Sequence, residues 1–181
     1  ISLAVFTQES RKQLLGRLRE ISGQGVSIYF DCNYRPHLWS SSEEAIELYR
    51  QLYGLSDIVF LTTEEAEVLL DGAEGSAVHD LLKDLGCRES VLKDGHRPCT
   101  IYTDGELIKV PAETVAKVID TTAAGDSFSA VYLVARKFGC APDKAAQMAH
   151  KTAAYVVCHK GAVAPLEKMV ITGKDIAKCS S

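Results

Sequence analysis

Hydrophobic and polar positions divide the chain into short apolar runs and longer segments with helical spacing. The short runs are rich in β-branched and aromatic residues, which is typical of strands, and between them leucine, isoleucine and alanine recur three or four positions apart. Serine or threonine precedes several of the longer segments, and glycine follows several, as at helix ends. The pattern predicts strands at 1–6, 26–30, 57–61, 90–93, 100–103 and 106–110, and helices that begin near residues 7, 42, 63, 76, 129 and 142.

This alternation predicts an α/β fold with a mostly parallel sheet, because parallel strands need crossovers and the helices supply them. Asp104-Gly105 between the last two apolar runs is a hairpin signal, so the sheet becomes locally antiparallel there. In open α/β sheets, ligands bind at the carboxyl ends of the strands. The order of the elements therefore places residues 31–35, 62–65, 93–97 and 120–126 on one rim.

Composition limits the classes of protein to which the chain can belong. With 181 residues and 46% hydrophobic residues, it fits one globular domain over 1–181, with a tail at 170–181. The formal charge of -4 and the lack of a basic stripe argue against a nucleic-acid partner. The sequence shows no membrane span and no signal peptide, so we expect a cytoplasmic protein. The apolar run 1–6 lacks an initiator Met and a preceding turn, which predicts a piece of a longer protein.

The six cysteines are scattered, with no C-x-x-C pair and no histidine at metal-ligand spacing. Neither a zinc site nor a redox motif is indicated. We expect all six to be free thiols, as in a reducing cytosol.

Residues 120–128, with the sequence D-T-T-A-A-G-D-S-F, form the strongest candidate site. Three small residues let a ligand approach the backbone, and the helix that follows directs free amides and its positive dipole end toward an anion. A carboxylate, Asp126, at the mouth of an anion site is consistent with a base that accepts a proton while a phosphate is stabilised. The alternative is an ordinary small-residue loop whose acid favours the first turn of the helix.

This run resembles the D-T-T-G-A-G-D-x-F motif of the ribokinase (PfkB) family of carbohydrate kinases. The resemblance implies that Asp126 is the catalytic base and that Ala123, Ala124 and Gly125 form an anion hole for the transferred phosphoryl group. Ala123 stands where the family usually has glycine, and its methyl group matters if the position requires a positive φ.

Residues 31–39, with the sequence D-C-N-Y-R-P-H-L-W, form the second candidate site. A guanidinium just beyond a strand suits a carboxylate or phosphate, although Arg35 paired with Asp31 on the surface is the plain alternative. The segment resembles a run in the 2-keto-3-deoxygluconate kinases and bacterial fructokinases of the same family. The resemblance implies that Asn33 and Arg35 approach the nucleotide and the sugar, with Arg35 on the substrate.

Glu65 matches the family's N-x-x-E motif without its asparagine, and the resemblance implies an indirect role in organising magnesium. A capping box with Thr62 explains the same residues without metal.

Residues 93–98 resemble the family's K-x-G loop, which implies ATP contacts from Lys93, Gly95 and Arg97; a polar turn is the alternative. Residues 145–154 and Gly161 resemble the region that closes over adenine near a monovalent cation, K+. This implies an ATP contact from His150, whereas an alanine-rich helix packed on the core explains most of the segment.

The resemblance covers residues 1–169 and implies a ribokinase-like three-layer αβα fold without its amino-terminal part and lid. It implies ATP- and Mg2+-dependent phosphorylation of a small sugar acid, namely 2-keto-3-deoxygluconate at the 6-position. Fructokinase and 5-dehydro-2-deoxygluconate kinase activities are alternatives, and Asn33 argues against the second. A nucleotide-binding fragment without turnover, an interaction module and homo-oligomerisation also remain open.

Overall fold

Seven helices and five strands make up the part of the chain that the computed structural model describes, residues 3–165, 167, 169 and 171–180. The helices are α1 Gln8–Gly23, α2 Ser42–Leu55, α3 Thr63–Leu69, α4 Ser76–Asp84, α5 Ala124–Lys137, α6 Pro142–Val156 and α7 Gly173–Ala177. The strands are β1 Tyr29–Asp31, β2 Ile58–Thr62, β3 Glu89–Lys93, β4 Cys99–Thr103 and β5 Glu106–Val110. No helix among the described residues is long and apolar enough to cross a membrane.

Polar caps begin the helices where the sequence predicts them. The hydroxyl of Thr7 accepts a hydrogen bond from the amide of Ser10, and Ser41 accepts one from Glu44, each at 3.2 Å. Thr62 and Glu65 form a complete capping box at the start of α3. These bonds satisfy amides that the first helical turn leaves without a partner.

The five strands lie in the order β1-β2-β3-β4-β5. β1 pairs with β2 and β2 with β3 in parallel, whereas β3 pairs with β4 antiparallel, so the predicted mixed, mostly parallel sheet is confirmed. β4 and β5, on either side of the Asp104-Gly105 turn, are neighbours in the sheet. β2 is buried at four of its five positions, as expected for a central parallel strand.

Two of the predicted strands differ from the structure. Residues 3–5 form a 3-10 turn, because the guanidinium of Arg11 donates hydrogen bonds to the carbonyl groups of Leu3 and Ala4; the rest of the predicted strand at positions 1 and 2 lies outside the described residues. The second strand begins only at Tyr29, since the amide of Ile28 bonds to the Asp57 carboxylate instead of to a neighbouring strand.

Internal contacts divide the chain into two compact units: the first unit, Ile1–Lys93 with Thr100–Leu107, and the second unit, Asp94–Cys99 with Ile108–Ser181. The prediction of one domain over 1–181 stays a prediction. The core of the first unit surrounds Tyr49, which is fully buried and contacts the rings of Phe30, Tyr34, Trp39 and Tyr53. Aromatic contacts of this kind stabilise a core beyond what the burial of apolar area contributes.

The second unit is built on α5 and α6. The two helices pack against each other, and the alanines at 135, 145, 146 and 149 are fully buried, since small side chains allow close packing. Two predictions for this unit differ from the structure. Cys140 and Cys179 form a disulfide instead of two free thiols, and the predicted tail contains α7, whose Ile176 is buried.

Candidate active site

Residues 120–126 form a loop that leads into α5, and we call it the anion loop. Ala123 is the residue before the helix and has φ 61° and ψ 10°, the left-handed region. The predicted concern about its methyl group is therefore confirmed: the position requires a conformation that glycine adopts without strain. The backbone reverses at this residue, and the first turn of α5 follows directly.

The carboxylate of Asp120 holds the anion loop in place. Its Oδ1 accepts hydrogen bonds from the hydroxyl of Thr122 at 2.6 Å and from the amide of Thr122 at 2.9 Å, and its Oδ2 accepts one from the amide of Gly161 at 2.8 Å. The two bonds from Thr122 and the one from Gly161 lower the pKa of Asp120 to about 2. Asp120 is therefore ionised and fully engaged, which suits a structural role and not that of a base.

Asp126 lies in the first turn of α5, and its side chain is exposed. The amide of Ala124 donates to the carbonyl of Thr121 at 3.2 Å. By contrast, the amides of Gly125 and Asp126 have no hydrogen-bond partner within the described residues. Two free amides at a helix N-terminus beside an exposed carboxylate can bind an oxyanion and accept a proton close to it.

In the first unit, residues 32–35 follow β1 and belong to no helix or strand; we call this segment the strap. Its residues alternate: Cys32 and Tyr34 are buried, Asn33 is half-buried and Arg35 is exposed. Asn33 has φ 42°, a left-handed conformation that asparagine tolerates better than most residues. The strap thus directs its two predicted binding residues away from the core.

Glu65 connects the strap to α3. Its Oε1 accepts a hydrogen bond from the amide of Tyr34 at 2.7 Å, and its Oε2 accepts one from the amide of Thr62 at 2.8 Å. Burial raises the pKa of Glu65, although both amides and the nearby Lys93 act in the opposite direction. The capping box predicted as the plain alternative for Glu65 is confirmed, and the contact with Tyr34 is an addition that the sequence did not indicate.

Lys93, at the end of β3, pairs with Asp31 at the end of β1. Its Nζ lies 3.1 Å from each oxygen of the Asp31 carboxylate. The predicted alternative partner of Asp31 was Arg35, but the Arg35 side chain is exposed and its guanidinium has no hydrogen bond or ion pair among the described residues. Its guanidinium is accordingly available to a ligand.

The turn after Lys93 belongs to the second unit. Gly95 has φ 55°, and Arg97 donates to the carboxylate of Asp94 at 2.7 Å and, through its amide, to the carbonyl of the same residue at 2.8 Å. The predicted polar turn is present, and the guanidinium of Arg97 is held against Asp94.

His150 lies in α6, buried against the ring of Phe128 at 4.9 Å. Burial lowers its pKa in spite of a hydrogen bond with the backbone of Val110, so the imidazole is neutral. Its Nε2 is buried without a partner among the described residues.

A cavity of about 290 Å3, which the sequence did not indicate, lies in the second unit beside α6. Its walls include Val115, Ala154, Tyr155 and Cys158. The thiol of Cys158 bonds to the carbonyl of Lys117, three residues before Asp120. The cavity is mainly apolar and of a size that suits a planar ring.

Within the first unit the structure brings together Asp31, the strap, Glu65 and Lys93; within the second it brings together the anion loop and Gly161. The described part of the chain contains no group of three or more His, Cys, Asp or Glu residues that could hold a metal ion. Mg2+ in kinases commonly arrives on the substrate phosphates with only one or two protein carboxylates, so its use does not require such a group.

Comparison with known proteins agrees with this arrangement. The chain is 42% identical to 2-dehydro-3-deoxygluconokinase of Escherichia coli (strain K12) over 172 residues, which cover 93% of this chain and 56% of that protein. The chain thus spans about half the length of this relative.

Two solved structures are similar in fold. Aminoimidazole riboside kinase from Salmonella enterica, complexed with aminoimidazole riboside and an ATP analogue, has a TM-score of 0.75 and 26% identity over 88% of this chain and 55% of its own. An E. coli protein assigned as a ribokinase II, in complex with ATP and Mg2+, has a TM-score of 0.77 and 22% identity over 87% of this chain and 50% of its own. The fold is accordingly the ribokinase-like αβα fold, with a mixed, mostly parallel sheet.

The model of the pfkB family of carbohydrate kinases matches residues 1–169. That match covers most of the chain and includes both the strap and the anion loop. The chain belongs to the pfkB family of carbohydrate kinases.

Proposed function

We propose that the protein containing this chain transfers the γ-phosphoryl group of ATP to the 6-hydroxyl of 2-keto-3-deoxygluconate. The observation that carries the proposal is the first turn of α5, where the exposed carboxylate of Asp126 stands next to the free amides of Gly125 and Asp126. Similarity to the E. coli 2-dehydro-3-deoxygluconokinase supports the sugar acid as substrate.

In this proposal Asp126 accepts the proton of the attacking hydroxyl, and the anion hole at residues 123–125 stabilises charge on the phosphoryl oxygens. Preorganised amides are effective there because they need no reorganisation as charge develops. Mg2+, bound with ATP, neutralises phosphate charge.

The remaining predicted residues bind the two substrates. Arg35 has a free guanidinium that suits the carboxylate of the sugar acid through paired hydrogen bonds. Asn33, Lys93, Gly95 and Arg97 contact ATP, and the 290 Å3 cavity beside α6 receives the adenine. His150, the neighbour of the lining residue Lys151 in α6, is the further ATP contact.

Substitution Asp126→Asn tests the proposal. We expect kcat to fall by about 10²- to 10⁴-fold, the usual loss for a positioned general base. Asp143→Asn is the matched control, because Asp143 also lies in the first turn of a helix, α6, with its side chain partly exposed. Near-normal turnover of the Asp126→Asn protein with 2-keto-3-deoxygluconate and ATP would show that the assignment is wrong.

A panel of sugars separates this proposal from its alternatives. Faster turnover of fructose or of 5-dehydro-2-deoxygluconate would reassign the substrate. Calorimetric binding of ATP without transfer to any sugar would support a nucleotide-binding protein without turnover. Replacing K+ by Na+ in the assay tests the expected monovalent cation near Gly161.

A further inference from the structure

We infer that Glu65 is a positioning residue for the strap, which sets Asn33 and Arg35 for the substrates, and not an organiser of magnesium. The inference rests on the proposed function, because it concerns how the same site holds its sugar acid. Its basis is the pair of hydrogen bonds that joins the start of α3 to the strap through one carboxylate.

Both oxygens of Glu65 accept a hydrogen bond from the backbone. Oε1 accepts from Tyr34 at 2.7 Å and Oε2 from Thr62 at 2.8 Å, distances typical of strong bonds to a carboxylate. The amide of Glu65 donates the return bond of the capping box to the hydroxyl of Thr62. The carboxylate is thus held by the backbone at both ends, and among the described residues it belongs to no group of three or more His, Cys, Asp or Glu residues that could hold a metal ion.

Electrostatics at this position agree with such a role. The Nζ of Lys93 lies 3.1 Å from both oxygens of Asp31. The two backbone amides stabilise the Glu65 charge more than Lys93 does. Because both donors are backbone amides, their bonds to Glu65 hold the main chain at Tyr34 in place relative to the start of α3.

The strap is fixed at every second residue. The amide of Cys32 bonds to the carbonyl of Phe60 at 3.0 Å, and the carbonyl of Cys32 accepts from the hydroxyl of Tyr49 at 2.9 Å. The next fixed point is the amide of Tyr34 on Glu65, and the Tyr34 ring packs edge-on against that of Tyr49 at 5.9 Å. The side chains of Asn33 and Arg35 make no such contacts, and the next backbone bond runs from the amide of Leu38 to the carbonyl of Arg35 at 3.0 Å. In the described part of the chain, Glu65 therefore provides the only side-chain hydrogen bond to the strap backbone between Asn33 and Arg35.

A small displacement of the strap matters because Arg35 recognises a planar carboxylate by geometry. A shift of about 1 Å in a positioning element can cost about 10²-fold in rate or affinity. Loss of the Tyr34 anchor would move Arg35, the adjacent residue, while the magnesium on the ATP phosphates would be unaffected.

The test compares Glu65→Gln with Glu67→Gln, an exposed glutamate of the same helix. The Tyr34 and Thr62 amides meet different oxygens of Glu65, and glutamine replaces one of these oxygens by an NH2 group, so one of the two amides faces a donor. We expect KM for 2-keto-3-deoxygluconate to rise about 10- to 100-fold in Glu65→Gln, with the half-saturating Mg2+ concentration within about twofold of the wild type. Glu67→Gln should leave both quantities unchanged.

A double-mutant cycle with Arg35→Ala shows whether Glu65 acts through Arg35. We expect Glu65→Gln to change the sugar-acid KM by less than about threefold in the Arg35→Ala background. Full additivity of the two effects would overturn the inference, and so would a tenfold rise in the Mg2+ requirement of Glu65→Gln, whatever happens to the sugar-acid KM.

Amide exchange separates this inference from the proposed function, because it needs no turnover. In 15N-labelled chain, Glu65→Gln should speed the exchange of the Tyr34 or Thr62 amide, and Mg2+ alone should leave the strap resonances in place. If the wild type phosphorylates no sugar acid, the proposed function fails and these two results still decide the role of Glu65. A Mg2+-induced shift at the strap that Glu65→Gln abolishes would assign Glu65 to the metal.

Discussion

Two carboxylates hold the two candidate binding segments, and their pKa values shift in opposite directions. Asp120 fixes the anion loop by accepting three hydrogen bonds, and those bonds lower its pKa to about 2. Glu65 fixes the strap by accepting hydrogen bonds from two amides, but desolvation by burial outweighs them and raises its pKa. The number of hydrogen bonds therefore does not set the charge state alone; burial decides the sign.

The two segments also differ in what they leave free. The anion loop keeps the amides of Gly125 and Asp126 unbonded within the described residues, so its backbone is the binding group. The strap uses the amides of Cys32 and Tyr34 to anchor itself, so its side chains are the binding groups. This difference suits the proposed function: stabilising a phosphoryl group requires free amides in the anion loop, and selecting a sugar acid requires free side chains on the strap.

Removing the Asp120 carboxylate should have the largest effect. In Asp120→Asn, the oxygen of the side chain can still accept from Thr122, but its NH2 group then faces the backbone N–H of Gly161. Two donors face each other there, so the Gly161 N–H loses its acceptor. We expect kcat to fall roughly 10- to 100-fold, as for the loss of a bond to a charged group, and the Gly161 amide to exchange faster. Steady-state kinetics and amide exchange measure the two effects.

Thr121→Val is the control for that variant, since the Thr121 side chain is exposed and makes no hydrogen bond among the described residues. If Asp120→Asn frees the Gly161 amide but leaves kcat intact, the anion loop does not depend on Asp120 for its active conformation.

The pH dependence of stability should separate the two carboxylates by sign. The lowered pKa of Asp120 contributes stability above its ordinary value of 3.8, which is lost as the pH falls toward about 2. The raised pKa of Glu65 contributes stability below its ordinary value of 4.5, which is lost as the pH rises through the raised pKa. Urea unfolding from pH 2.5 to 6.5 measures both contributions.

The stability difference between wild type and Asp120→Asn should therefore grow with pH, and that between wild type and Glu65→Gln should shrink. Parallel slopes for the two variants would contradict the assigned roles of hydrogen bonding and burial.

Local patterns in the sequence predicted most of the fold. Each helix cap at residues 7, 41 and 62 depends on neighbours within three positions, and the Asp104-Gly105 turn determines its own hairpin. The failures involve distant partners: Arg11 displaces a strand at residues 3–5, and Cys140 meets Cys179 across 39 positions. A short-range pattern cannot show such contacts.

In the candidate site, too, the local features could be predicted and the contacts between distant residues could not. The motif from Asp120 to Asp126 was predicted, including the concern at Ala123, because its chemistry lies in consecutive residues. The bond from Tyr34 to Glu65 spans 31 positions, and that from Lys93 to Asp31 spans 62. Their only signal was that each partner follows a strand of one parallel sheet.

The smallest effect concerns the left-handed residue in each segment, Ala123 in the anion loop and Asn33 in the strap. A left-handed conformation costs an alanine about 1–2 kcal/mol, and glycine removes that strain while adding about 0.4–1 kcal/mol of unfolded-state entropy. Glycine is also a better residue than alanine before a helix. We expect Ala123→Gly to raise the free energy of unfolding by about 0.5–1 kcal/mol.

Asn33→Gly should change the free energy of unfolding by less than about 0.5 kcal/mol, because asparagine already tolerates this conformation. Asn33→Ala should lower the free energy of unfolding by about 1 kcal/mol, because alanine does not tolerate the left-handed conformation as asparagine does. Urea unfolding of the three variants gives the comparison directly. Equal stabilisation by glycine at both positions would mean that Asn33 is strained as Ala123 is, and that its amide is retained for the ligand and not for the backbone.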